Sequence, residues 1–241
     1  YVYGVGLHGA GFDVVGNTML AYPLMLFAHN GNVGWGSTAG FGDQVDIFEL
    51  KLNPENQTQY LHNGVYRDFE VRQEVIAVKG AEPIDFTVYR SVYGPVIQMD
   101  QQNGIAYSQK RTWEGSEVAT GIAWVELAKA KTIEELRGQI KKMATNINFY
   151  YLDKSGNIGY TLSGKYPIRQ EQQDTRLPVP GDGSMDWQGI LPFEENPTAL
   201  NPEPGYIVNR NNPPERRWHR SDLCWRAWST AERVSVLMDL L

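Results

Sequence analysis

Residues 71–99 read VRQEVIAVKGAEPIDFTVYRSVYGPVIQM, and their composition decides the fold class. Val, Ile, Tyr, Phe and Thr crowd three short runs, 71–78, 84–89 and 92–99, with Gly80 and Gly94 at the breaks. Stiff β-branched and aromatic side chains fit a pleated, half-buried surface, so the block predicts three successive strands. Just upstream, Asn63-Gly64 separates Gln59-Tyr60-Leu61 from Val65-Tyr66. Both central residues tolerate positive φ, which a type I′ turn requires, and the pair predicts a hairpin. A second hairpin is expected from Phe149-Tyr150-Tyr151 through Lys154-Ser155-Gly156-Asn157 into 158–162.

Helices are fewer. Thr132 and Glu135 have the spacing of a capping box, and Ile133, Leu136, Ile140 and Met143 share one helical face beyond them. Residues 117–129 form a weaker helical stretch, and 230–241 turns helical again with Val234, Leu237 and Leu241 on one side. Between 169 and 214 Pro, Gly, Asn and Asp are dense enough to predict irregular surface structure, and so long a stretch is more often functional than idle. The class is α+β and strand-rich. With 41% hydrophobic residues in 241, the chain has material for a single domain spanning 1–241.

Composition excludes several functions. The net charge is −6 and the basic residues are dispersed, Arg216, Arg217 and Arg220 being a short cluster. Nucleic acid is not an expected partner, because phosphate binding needs a basic face. The longest apolar run, at 20–28, is broken by Tyr22 and Pro23 and is too short for a membrane-spanning helix. Cys224, the single cysteine, reads as a packed small hydrophobe beside Trp225 and leaves the redox compartment open. The chain opens at Tyr1 without Met or a signal-like run, the expected appearance of an internal or processed portion.

Local motifs are weak one by one. Gly4-Val5-Gly6-Leu7-His8-Gly9 lacks the helix and the lysine of a phosphate loop, so strand-edge or turn glycines are expected. His8, His29, His62 and His219 have no zinc spacing, and Asn56-Gln57-Thr58 is a glycosylation triplet of a common kind. Asp43-Gln44-Val45-Asp46 brackets a backbone carbonyl with two carboxylates. It reads either as a hard-cation site or as a solvated turn.

Taken together, several segments resemble the β-chain of the penicillin acylase family. They are 3–11 (YGVGLHGAG), His29-Asn30-Gly31, 35–43 (WGSTAGFGD), Asn157-Ile158-Gly159-Tyr160, 176–181 (RLPVPG) and 205–212 (GYIVNRNN). Their order and spacing match over essentially the whole chain. The resemblance implies a four-layer αββα sandwich of the N-terminal-nucleophile hydrolases and hydrolysis of the side-chain amide of penicillin G. In that family a serine exposed by precursor cleavage attacks the amide, and its own α-amine is the base. An α-amine suits the task because its unperturbed pKa lies near 8. The family's β-chain would start a few tens of residues upstream, so the nucleophile is expected outside this chain and the chain alone is expected to be inactive.

The same resemblance assigns residues. The backbone N–H of Ala39 and the side-chain amide of Asn211 would form the oxyanion hole, with Arg233 in an orienting role near the serine's amine and Asn211. Phe27, Ser37, Phe41, Trp124 and Ile147 would line a pocket for a phenylacetyl group. Asp43, Val45 (through its carbonyl), Asp46, Thr175 (through its carbonyl, where the family usually has Pro) and Asp222 would bind a structural calcium ion. An α-chain from the same precursor would be the partner, an amide the small-molecule substrate, and the periplasm or medium the location. Two other readings stay open: an acylase for cephalosporin or acyl-homoserine lactone side chains, and a calcium-dependent carbohydrate-binding module without chemistry.

Overall fold

The computed structural model describes residues 2–19, 24–209, 211–212, 214–215, 218 and 231–241, with side chains from 234 onward in the last segment. In chain order the strands are β1 (Val2–Gly9), β2 (Phe12–Met19), β3 (Phe27–His29), β4 (Val33–Ala39), β5 (Val45–Asn53) and β6 (Asn56–His62). They continue with β7 (Val65–Asp68), β8 (Glu70–Ile76), β9 (Ile84–Ser91), β10 (Gly94–Asp100) and β11 (Ile105–Arg111). Helices α1 (Glu117–Glu126) and α2 (Ile133–Ile140) follow, with a 3-10 turn at Leu127–Lys129 between them. Then come β12 (Ile147–Asp153), β13 (Ile158–Leu162), β14 (Pro167–Ile168), β15 (Val179–Pro180), β16 (Gly189–Ile190), β17 (Thr198–Leu200) and α3 (Ala231–Asp239). The chain gathers into two compact units, one of residues 1–44, 113–166 and 191–241, the other of 45–112 and 167–190.

The first unit is built on a seven-stranded antiparallel sheet in the order β1-β2-β3-β4-β12-β13-β17. Strand alternation sorts β12 between two faces. Phe149 and Tyr151 are buried against Trp124, Leu127, Leu136 and Ile140 of the helical layer, while Asn148 and Tyr150 face the other way. Val14, Val33 and Trp35 join the same core. Each large side chain so buried contributes about 1.5–3 kcal/mol, which is why two short helices are held where propensity alone would leave them marginal.

Two hydrogen-bonding knots fix that layer. The Asn30 side chain donates to the carbonyls of Ala128 (3.0 Å) and Ala130 (2.6 Å) and accepts from the N–H groups of Asn32 (3.1 Å) and Val33 (3.0 Å). It ties the β3–β4 turn to the end of the first helical segment. The carbonyl of Met25 accepts from the indoles of both Trp35 and Trp124, each at 3.0 Å.

The second unit holds an eight-stranded sheet in the order β7-β6-β5-β11-β10-β9-β8, with β15 pairing β5 in parallel off that path. Asn63 and Gly64 have φ of 50° and 76° and join β6 to β7 as a hairpin, in agreement with the sequence. The third run of the opening stretch differs. Val92 and Tyr93 form the turn, and β10 begins only at Gly94, opposite Ser91. The reason is local: Ser91 Oγ accepts the Tyr93 N–H, and the Val92 N–H donates to the Tyr60 hydroxyl. The Tyr93 ring then stacks on Phe48 with centroids 3.9 Å apart.

Gly4, Gly6 and Gly9 all lie within β1, so the N-terminal glycines are strand glycines. Residues 169–214 contain only short strands and one 3-10 turn among their described positions. No helix among the described residues is long and apolar enough to cross a membrane.

At α2 the expected cap is present, with one variation. The Glu135 N–H donates to Thr132 Oγ1 at 3.1 Å, but Glu135 Oε2 returns to the N–H of Lys131 rather than to that of Thr132. In the intact protein, Thr132→Ala is expected to lower unfolding free energy by about 1 kcal/mol in urea titration, with an unchanged denaturant slope.

Candidate functional site

Strand β4 ends at Ala39. The next residue, Gly40, donates its N–H to the carbonyl of Asn146 at 3.1 Å. Bonded and non-bonded pairs alternate in an antiparallel ladder, so Ala39, paired with Ile147, turns its N–H and C=O away from the β12 backbone. Asn211 reaches the same place from the irregular segment, and its Nδ2 donates to the Ala39 carbonyl at 3.0 Å. Asn211 has φ of 60°, a conformation that Asn tolerates better than most side chains, and its N–H is held by Asn209 Oδ1 at 2.7 Å. The two residues that the resemblance implies as oxyanion donors are neighbours.

The strand end is crowded. A Cβ on Gly40 would lie 2.2 Å from Asn146 Oδ1 and 2.6 Å from Leu162 Cδ1. One on Gly42 would lie 2.5 Å from the Tyr166 ring and 2.9 Å from the Trp218 indole nitrogen. These glycines let the chain leave the sheet against packed side chains.

Asn148, on which the sequence reading placed no role, also converges here. It is fully buried, its Nδ2 donates to the Ala39 carbonyl (3.0 Å) and Thr38 Oγ1 (3.1 Å), and its Oδ1 accepts from the Tyr160 hydroxyl (2.7 Å). Burial pushes the phenols of Tyr150, Tyr160 and Tyr166 far above their usual range, so Tyr160 remains a neutral donor. A signal existed: a polar amide inside the aromatic run Ile147-Asn148-Phe149-Tyr150-Tyr151 must find partners if buried.

The expected pocket residues divide. Ser37 is buried opposite Phe149, with its hydroxyl donating to the Leu26 carbonyl at 3.1 Å. Trp124 meets Phe149 edge to face at 5.4 Å, and Ile147 packs against the same core. Phe27 is on the opposite face. The β3–β4 register, Ala28 with Trp35, sets it beside Gly36, whose missing side chain its ring covers. Phe41 is half-buried, with φ of 55° in the exit turn. An apolar hollow of about 710 Å³ lies over Gly34 and Gly36, walled by Tyr150, Leu152, Ile158 and Tyr206. Another, of about 700 Å³, has Trp124, Leu24, Val118, Gly121, Ile122 and Val125 among its walls.

The expected calcium residues are less fully placed. Asp43 and Asp46 are buried, 3% and 4% exposed, so the solvated-turn alternative does not describe them. Val45 opens β5, and Thr175 is half-buried in a turn of the second unit. Asp46 Oδ2 accepts from Arg169 Nε (2.8 Å) and Trp187 Nε1 (2.6 Å), so its charge is met by a guanidinium. Among the described residues no three His, Cys, Asp or Glu side chains cluster as metal ligands. Asp222 lies outside the described residues, as does the side chain of Arg233. The expected donors are all oxygens, the kind that calcium takes.

The family model for penicillin amidase matches residues 1–241. The chain belongs to the penicillin amidase family. It is 51% identical to penicillin G acylase of Escherichia coli over its whole length, covering 28% of that protein. Against an acyl-homoserine lactone acylase of Pseudomonas fluorescens it is 30% identical over 94% of its length, 29% of that protein. Among solved structures, the thermostable penicillin G acylase of Alcaligenes faecalis matches all of this chain and 43% of its own, with a TM-score of 0.93 and 48% identity. The α+β, strand-rich class agrees with that match, and the chain spans under a third of the curated relatives' length.

Gly40→Ala in the family's intact enzyme is expected to cost about 1–3 kcal/mol by overpacking. Thermal unfolding would read the loss, whereas Gly121→Ala, with open space around its Cβ position, should not lower stability.

Proposed function

We propose that the longer protein containing this chain hydrolyses phenylacetyl-type amides, penicillin G among them, to a carboxylate and an amine. The observation that carries this is Asn211 Nδ2 seated 3.0 Å from the Ala39 carbonyl, at the strand end whose ladder turns the Ala39 N–H outward. An amide oxygen becomes negative when a nucleophile adds to its carbon. A backbone N–H and an uncharged carboxamide stabilise that charge without introducing an acid that could be lost. The carboxamide nitrogen carries two hydrogens, so holding one on Ala39 fixes the plane of the other. In this proposal the longer protein supplies the attacking serine and, as base, that serine's α-amine.

Aromatic acyl groups are favoured over long alkyl chains by Trp124, edge-on to Phe149 at the helical layer. Edge-to-face packing of a substrate ring there would add about 0.5–1.5 kcal/mol to its burial. On α1, Val118 and Ile122 are 77% and 60% exposed beside the Trp124 hollow, a surface suited to an α-chain derived from the same precursor. A relative from a Pseudomonas species bears the name penicillin acylase 2 proenzyme, in keeping with such a precursor.

Turnover of a chromogenic phenylacetyl anilide by the complete protein tests the proposal, with a decanoyl substrate alongside. Faster hydrolysis of the decanoyl amide would move the assignment to the lactone acylases. Asn211→Ala should lower kcat by about 10²–10³. The 241-residue chain by itself is expected to give no turnover, and measurable amidase activity from it would overturn the role given to the upstream serine.

Calcium is proposed as a structural ion held by Asp43, Asp46 and the carbonyls of Val45 and Thr175, with Asp222. Calcium is a poor Lewis acid beside zinc, so no chemical step is assigned to it. Chelation of the complete protein should lower its Tm, and added calcium should restore it. An identical melting curve with and without chelator would remove the ion from the account.

A further inference from the structure

We propose that Asn148, held by Tyr160, is a positioning residue that sets the geometry of the oxyanion site from inside the sheet. This rests on Ala39 and Asn211 being the oxyanion donors.

Asn148 is fully buried and is hydrogen-bonded to Thr38, Ala39 and Tyr160 within the protein. A carboxamide in such a place contributes nothing to apolar packing, and burying it unsatisfied would cost about 1–3 kcal/mol. Its bonds are not spread at random. Nδ2 holds Thr38 Oγ1 at 3.1 Å and the Ala39 carbonyl at 3.0 Å, the groups on either side of the peptide that carries the Ala39 N–H. With both flanks held, that N–H has little freedom to swing about the strand axis.

The orientation of the carboxamide follows from chemistry. A carbonyl can only accept, so the nitrogen of Asn148 must face Ala39, and its oxygen is left for the Tyr160 hydroxyl at 2.7 Å. Burial keeps that phenol protonated, so the chain of donors runs one way from Tyr160 through Asn148 to Ala39.

The Ala39 oxygen has two lone pairs and receives two carboxamides, Asn148 from the sheet and Asn211 from the irregular segment. Occupying one lone pair from a rigid strand leaves Asn211 the other. Asn148 therefore acts on both donors: directly on the peptide of Ala39, and through the shared oxygen on the plane of Asn211. Catalysis by fixed donors depends on their being aimed before charge develops, so loosening this anchor should reduce turnover more than substrate binding.

The test uses the complete enzyme and the phenylacetyl anilide assay. Asn148→Asp keeps the shape but turns an oxygen toward the Ala39 oxygen, and Tyr160→Phe removes one hydroxyl from the anchor. We expect kcat to fall about 50-fold for Asn148→Asp and about 5-fold for Tyr160→Phe, with KM and inhibition by phenylacetate unchanged within about twofold. Unchanged kcat in folded Tyr160→Phe enzyme would overturn the proposal, and this variant decides alone if Asn148→Asp does not fold. In folded enzyme, a fall in kcat matched by weaker phenylacetate binding would also overturn it, showing a merely structural role. Asn211→Ala separates the two levels. Wild-type kcat there would refute the oxyanion assignment itself, whereas its loss beside unaffected Asn148 and Tyr160 variants refutes only the positioning role.

Discussion

The Ala39 carbonyl is the point on which the candidate site depends. It closes no bond in the β4–β12 ladder, yet it accepts two carboxamides at 3.0 Å each, from Asn148 and Asn211. A strand end usually frays, because its last polar groups lack partners and turn to water. Here the last residue of β4 is pinned from the sheet and from a segment 172 positions away in sequence. The glycines that follow, packed against Asn146, Leu162, Tyr166 and Trp218, let the chain leave the sheet at once. Rigid strand on one side and tight exit on the other make the end of β4 a fixed edge rather than a loose one.

The helical layer supports this edge from below. Trp124 and Trp35 share the Met25 carbonyl, Asn30 ties the β3–β4 turn to the helices, and Phe149 fills the space between Trp124 and the sheet. Ser37 lies opposite Phe149, so the face that would receive an acyl group is built from the same contacts that stabilise the fold. Under the proposed function, packing and recognition would be the same set of interactions in this part of the chain, and substrate preference would be coupled to stability.

Much of the architecture was legible in the residues. Asn63-Gly64 could hardly be anything but a tight hairpin, since few other pairs accept positive φ twice, and Thr132 with Glu135 marked the start of α2. Pairing register was not legible. It placed Phe27 on the face away from Ser37 and shifted the start of β10 to Gly94, because N–H groups donating to Ser91 Oγ and to the Tyr60 hydroxyl made Val92 and Tyr93 a turn. Burial of Asp43 and Asp46 was hidden as well, since a carboxylate in a short polar stretch reads as solvated until its partners, such as Arg169, are known. The proximity of Ala39 and Asn211 came from family resemblance, as no local pattern links residues so far apart. Asn148 was missed because a single amide in an aromatic strand says only that partners exist, not which.

One feature of Asn211 narrows what can stand there. Its backbone lies at φ of 60°, a region that β-branched and bulky residues enter only with strain. Glutamine carries the same chemical group but lengthens the reach by a methylene and lacks the local hydrogen-bonding habit that makes asparagine at ease in this conformation. Glycine would accept the backbone and lose the donor. The position thus applies two filters in succession, one of torsion and one of chemistry, and asparagine passes both at small cost.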